Sequence, residues 1–204
     1  MPISGFPDPF VVCCFINDNK LLVALFHNKT KVHYHFIYDD SRKKIDGDIV
    51  QVKMDCTTKN FPYRVFPNDD INECYLFYRQ GQVLTINSSD PNEYKFERMT
   101  DMDLGQMYLV NNKALIARSS SRILFFKIIE NEENGERNWT LYDSISLRGF
   151  IYFIKGNNRI QITMDRLIYF YFIDKETLLP NLENCMYNFM SCSHMMFGPR
   201  SRYS

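Results

Sequence analysis

The chain has 204 residues, with 24 Lys and Arg against 24 Asp and Glu, so its formal net charge is zero. That length suits one domain or two small ones, and the charge balance argues against a basic nucleic-acid-binding surface. Hydrophobic residues make up 45% and aromatic residues 15%, which excludes a disordered chain and supplies ample material for a core.

The longest wholly apolar runs, Phe10–Ile16 and Leu167–Ile173, have seven residues each, against roughly 18–20 for a membrane-spanning helix. No membrane contact is expected. The opening Met1-Pro2-Ile3-Ser4-Gly5 lacks a basic stretch followed by a long apolar one, so the chain reads as cytoplasmic without a signal peptide. Six cysteines (Cys13, Cys14, Cys56, Cys74, Cys185, Cys192) form no CxxC pair and read as reduced thiols packed as small hydrophobes.

In chain order, bursts of Phe, Tyr, Ile, Val and Leu alternate with Asn, Asp, Gly, Ser and Lys, which is how strands and turns are written. The first group is Phe10–Ile16, the turn Asn17-Asp18-Asn19, Lys20–Phe26, Val32–Tyr38 and a more polar strand Ile49–Met54. The second is Phe61–Phe66, Asn68-Asp69-Asp70, Cys74–Tyr78, the turn Gln80-Gly81, Val83–Ile86 and Tyr94–Met99. The third is Met107–Val110, Asn111-Asn112, Lys113–Ala117, Ser119-Ser120-Ser121, Ile123–Ile128 and Trp139–Ile145. The fourth is Phe150–Lys155, Gly156-Asn157-Asn158, Arg159–Thr163, Leu167–Asp174 and Cys185–Phe189. Asp101–Leu109, the best helical stretch, is short and broken by Gly105.

Anchored on Lys20, Glu73, Lys113 and Arg159, the four groups recur at intervals of 53, 40 and 46 residues. Four strands at a period of about 45 residues describe a β-propeller blade. Stacked blades bury both faces of their inner strands, so Leu167–Ile173 need not alternate. The repeats resemble the divergent WD40-like β-propeller superfamily in period and strand order, without a Gly-His opening or a Trp-Asp close; the single tryptophan, Trp139, precedes Thr140.

The expected fold is therefore all-β, a β-propeller-like array of four four-stranded antiparallel blades forming an incomplete or open ring. One domain is expected over residues 1–204, with units near 8–56, 60–100, 105–146 and 149–190, and 194–204 as a closing strand or the start of a fifth unit. Hairpin turns at Asn17-Asp18, Asn111-Asn112 and Asn157-Asn158 should use the tolerance of Asn for positive φ. Val23, Leu115, Ile116, Phe125, Ile160, Ile162, Ile168 and Phe170 should be buried on the middle strands.

The chemistry-bearing residues are few. His33 and His35 share one face of a strand with His27 nearby, an arrangement that could hold a transition metal but reads first as ordinary strand histidines. Asp39-Asp40, Asp69-Asp70 and the loop Asp46-Gly47-Asp48 could supply paired carboxylates for glycoside hydrolysis, but read first as solvated turn tips. Ser119-Ser120-Ser121 is a turn and not a nucleophile elbow, and eight glycines build no phosphate cradle. No cofactor is expected.

The reading that remains is a non-catalytic module or scaffold that binds a protein partner through propeller loops. Its contact residues are Asp39, Asp40, Arg42, Lys43 and Lys44 in one loop and Asp69 and Asp70 in another. The alternatives are a glycan-binding or glycoside-hydrolysing propeller using the loop carboxylates, and an accessory domain of a larger polypeptide. Open blade edges would also permit self-association.

Overall fold

The computed structural model describes residues 10–27, 30–53, 62–68, 72–131, 133, 135–146, 150–154, 159–164, 167–174 and 176–187. These residues form sixteen strands in four antiparallel sheets. The first sheet joins β1 (Phe10–Asn17), β2 (Lys20–His27), β3 (Val32–Asp39) and β4 (Lys44–Lys53) in sequence order. The second joins β5 (Pro62–Asn68), β6 (Glu73–Tyr78), β7 (Gln82–Asn87) and β8 (Tyr94–Arg98). The third holds β9 (Met107–Val110), β10 (Ala114–Arg118), β11 (Ile123–Glu130) and β12 (Arg137–Ile145). The fourth holds β13 (Phe150–Ile154), β14 (Arg159–Met164), β15 (Leu167–Ile173) and β16 (Pro180–Tyr187). Among the described residues no helix is long and apolar enough to cross a membrane.

The chain divides into two compact units, residues 1–105 with 129–140, and residues 106–128 with 141–204. In the first, Leu22, Ala24 and Phe26 of β2 and Val50 and Val52 of β4 pack with Cys74, Leu76, Tyr78, Leu84 and Ile86 of the second sheet. Trp139 belongs to this unit and meets Tyr75 and Phe77 edge-on, with ring centroids 5.2 and 5.4 Å apart. In the second unit, Ile116 and Phe125 pack with Ile160, Ile162, Tyr171 and Ile173. The runs Cys74–Tyr78 and Ala114–Ala117 are buried at every position, as strands covered on both faces must be.

Several expectations change. Asp46-Gly47-Asp48 is part of β4: the register jumps from Ile37↔Asp46 to His35↔Val50, and Gly47, at φ +86°, takes up the bulge between them. Residues 107–109 of the helical candidate lie in strand β9. Leu115, Ile116, Phe125, Ile160 and Ile162 are buried, whereas Val23, Ile168 and Phe170 are only half-buried. In β15 the residues turned to the core are Tyr169, Tyr171 and Ile173, so alternation persists and puts Phe170 on the other face.

The Asn turns also differ from one another. Asn111 and Asn112 both have positive φ, 48° and 54°, as the central pair of a tight turn that the Lys113 N–H closes by donating to Val110 O at 3.1 Å. At the β1–β2 turn the asparagine acts through its side chain: Asn17 Oδ1 accepts the N–H groups of Asn19 and Lys20, both at 3.0 Å. Asn157-Asn158 and the strand expected at 194–204 lie outside the described residues.

Candidate functional site

Four turns of the first unit gather at one end of its strands. The Asp40 N–H donates to Asn19 O at 2.7 Å, tying the β3–β4 turn to the β1–β2 turn. The Ser88 N–H donates to Asn72 O at 2.8 Å, tying the β7–β8 loop to the β5–β6 turn. A shallow recess of about 550 Å³ opens at this end, lined by Ile16, Asn17, Asp18, Lys20, Asn72 and Ser88. Its walls offer amide, carboxylate, ammonium and hydroxyl groups, a surface able to hydrogen-bond a polar chain or the rim of another protein.

Local side-chain caps hold these turns. Asp39, buried at the end of β3, accepts the Ser41 hydroxyl at 2.6 Å and the Arg42 N–H at 2.9 Å. Those two hydrogen bonds, the Ser41 hydroxyl foremost, hold its carboxyl below the usual aspartate value. Asn87 Oδ1 caps the next loop by accepting the Ser89 N–H at 2.8 Å. Lys20 Nζ sits 2.7 Å from Asp46 Oδ2 across the first sheet.

The residues singled out from the sequence therefore separate into two kinds. Asp39 builds the turn and faces inward. Arg42 and Lys43 form the tip, with side chains 65% and 70% exposed. Asp40 pairs with Lys43 at 2.7 Å, which raises the lysine pKa; so exposed a pair adds little stability. Lys44 opens β4 opposite Asp39 and is exposed. The connection from β3 to β4 is four residues, 40–43, and not a long loop. Asp69 and Asp70 lie outside the described residues. Asn72 and Ser88, which line the recess, were not foreseen; Asn72 has a positive φ of 52°, for which an Asn after two Asp residues was the one available signal.

Among the described residues the histidines do not converge on a metal-binding geometry. His27 Nδ1 lies 2.7 Å from the Thr30 hydroxyl. His33 and His35, both fully buried, form a chain: Tyr78 OH to His33 Nδ1 at 2.7 Å, His33 Nε2 to His35 Nδ1 at 3.1 Å, and His35 Nε2 to Pro91 O at 2.7 Å. Burial, with the neighbouring His35, lowers the His33 pKa to about 3. Burial also lowers that of His35, against a smaller opposing contribution from the Pro91 carbonyl. Among the described residues no group of three or more His, Cys, Asp or Glu could hold a metal ion.

No family model matches the chain, and no curated protein matches its sequence. Solved structures do match in fold. A periplasmic gluconolactonase of Pseudomonas aeruginosa is similar at 12% identity and a TM-score of 0.58, over 87% of this chain and 54% of that one. A protein of unknown function from Desulfotomaculum acetoxidans is similar at 9% identity and 0.54, over 87% and 55%. The β-propeller domain of Myceliophthora thermophila Cps50 (Swd1) is similar at 10% identity and 0.53, over 83% and 56%. The chain thus has a β-propeller-like fold and spans about half the length of the structures it matches.

The expectation of a chain without catalytic activity is corrected by the first of these structures. A propeller of this kind serves an enzyme there, so the architecture gives no ground for setting catalysis aside.

Proposed function

We propose that the turn-bearing end of the first unit is a recognition surface for a protein partner. The observation that carries this reading is the division of labour in the β3–β4 turn: buried Asp39 fixes the backbone, which leaves Arg42 and Lys43 exposed on a rigid hairpin. Charges placed this way steer and orient a partner at little cost to the fold. The polar recess beside them supplies hydrogen-bonding groups to the same partner.

The test is a comparison of proteins recovered by wild type and by the double variant Arg42→Glu/Lys43→Glu, with melting temperature as the control. Recognition at this end requires that the variant keep its melting temperature and lose a specific partner. Unchanged recovery by the variant contradicts the reading. So does hydrolysis of a lactone or aryl glycoside by wild type that Asp18→Asn or Asp40→Asn abolishes, which assigns this end to catalysis.

A further inference from the structure

We infer that the recess at the turn-bearing end takes an arginine side chain of the partner. This rests on the reading of that end as a recognition surface and names what its recess selects. Two charged side chains line the recess, Asp18 and Lys20. Lys20 Nζ is already matched by Asp46 Oδ2 at 2.7 Å. Asp18, exposed in the β1–β2 turn, has no ion pair or side-chain hydrogen bond among the described residues. The recess therefore carries one uncompensated negative charge, which selects for a positive ligand. The β7–β8 loop, beyond the Ser88 wall, reinforces that sign. Its Asp90 and Glu93 are not ion-paired among the described residues, against Lys44 as an unpaired cation on the first sheet.

The groups beside Asp18 call for more than a point charge. The side chains of Asn72, Ser88 and Ser89 line the same recess and make no hydrogen bond among the described residues. A carboxylate, an amide oxygen and two hydroxyls thus offer acceptors at separate positions. A planar guanidinium, with five N–H donors in a fixed fork, can reach several of them, whereas an ammonium presents three donors from one point. Ile16 gives the recess an apolar wall, against which the methylenes of such a side chain can lie.

These acceptors are also held in place before a ligand arrives. Asn17 Oδ1 fixes the turn that bears Asp18 through the N–H groups of Asn19 and Lys20. The Ser88 N–H, donating to Asn72 O at 2.8 Å, fixes the opposite wall. Preorganisation of this kind lowers the ordering cost of binding. The recess volume of about 550 Å³ is that of a small-ligand site.

Titration of the isotope-labelled full chain with N-acetyl-arginine methylamide, followed by backbone amide NMR shifts, tests this. Saturable shifts should appear at Asp18, Asn72 and Ser88 and weaken as salt is added. Asp18→Asn removes the charge from a side chain that holds no contact of the fold, and should bind the probe about tenfold more weakly. N-acetyl-citrulline methylamide, which keeps the shape and lacks the charge, should lose about as much on wild type. Absence of saturable shifts at these residues, equal binding of the citrulline probe, or an Asp18→Asn variant that binds arginine like wild type overturns the inference. So does methyl glucoside moving the same amides in preference to arginine. If Arg42→Glu/Lys43→Glu loses the partner while arginine leaves the recess unmoved, the inference fails and the recognition surface stands.

Discussion

His35 Nε2 lies 2.7 Å from the carbonyl oxygen of Pro91, and a carbonyl only accepts. The Nε2 of His35 therefore carries the proton, its Nδ1 must accept, and His33 must donate from Nε2 across 3.1 Å. His33 Nδ1 is then the acceptor for the Tyr78 hydroxyl at 2.7 Å. Both imidazoles are then neutral Nε2–H tautomers. Nitrogen-detected NMR of the ring signals should show this tautomer for both residues at neutral pH.

The same geometry gives a pH dependence. The folded pKa of His33, about 3, lies below its ordinary 6.5, so the unfolded chain binds a proton that the folded chain refuses. Stability is fully present above pH 6.5 and falls as the pH drops from there toward 3. Over that whole window the loss is on the order of 5 kcal/mol. Urea unfolding at a series of pH values should show this slope in wild type. In His33→Gln it should be shallower by close to one bound proton.

Tyr78→Phe removes the donor to His33 Nδ1 and leaves a buried acceptor unpaired. The expected loss is about 1–3 kcal/mol, read from urea unfolding at pH 7. An unchanged midpoint would mean that water replaces the hydroxyl.

Adjacent aspartates should behave oppositely. Asp39→Ala removes the cap of the β3–β4 turn and should lower the melting temperature, whereas Asp40→Ala loses only an exposed ion pair and should leave it unchanged. Parallel thermal melts of the two variants decide this.

Gly81 has φ +71°, and a Cβ there would lie 2.3 Å from the backbone oxygen of Thr100. Gly81→Ala should cost at least about 2 kcal/mol, since both the turn conformation and the close backbone approach forbid the side chain. Chemical unfolding measures it.

The strands were legible because bursts of apolar residues between Asn and Asp turns carry their own boundaries; β6, β10 and β15 begin within a residue of where the sequence puts them. The start of β4 was not legible. Asp46-Gly47-Asp48 has loop composition, and only the pairing with Ile37 keeps it in a strand. The face of Phe170 was misassigned because an unbroken apolar run gives no phase for alternation. At the candidate site, the exposed Arg42 and Lys43 were visible as a charge cluster. Asp39 could have been set apart from them by the Asp-Asp-Ser spacing, which permits a side-chain cap two residues on. The partners of His33 and His35 could not be read: Tyr78 and Pro91 stand 45 and 56 residues away in sequence, and only packing of the two sheets brings them together.

The recognition surface is tested most directly by a photo-crosslinking amino acid placed at Arg42, on the turn-bearing end of the first unit, and in a second protein at Arg79, beyond the far end of β6. Both positions are exposed, with side chains 65% and 47% accessible. Recognition by the turn-bearing end requires a discrete adduct from Arg42, lost when Lys43→Glu is added, and none of that mass from Arg79. The same adduct from both positions, or from Arg79 alone, contradicts it.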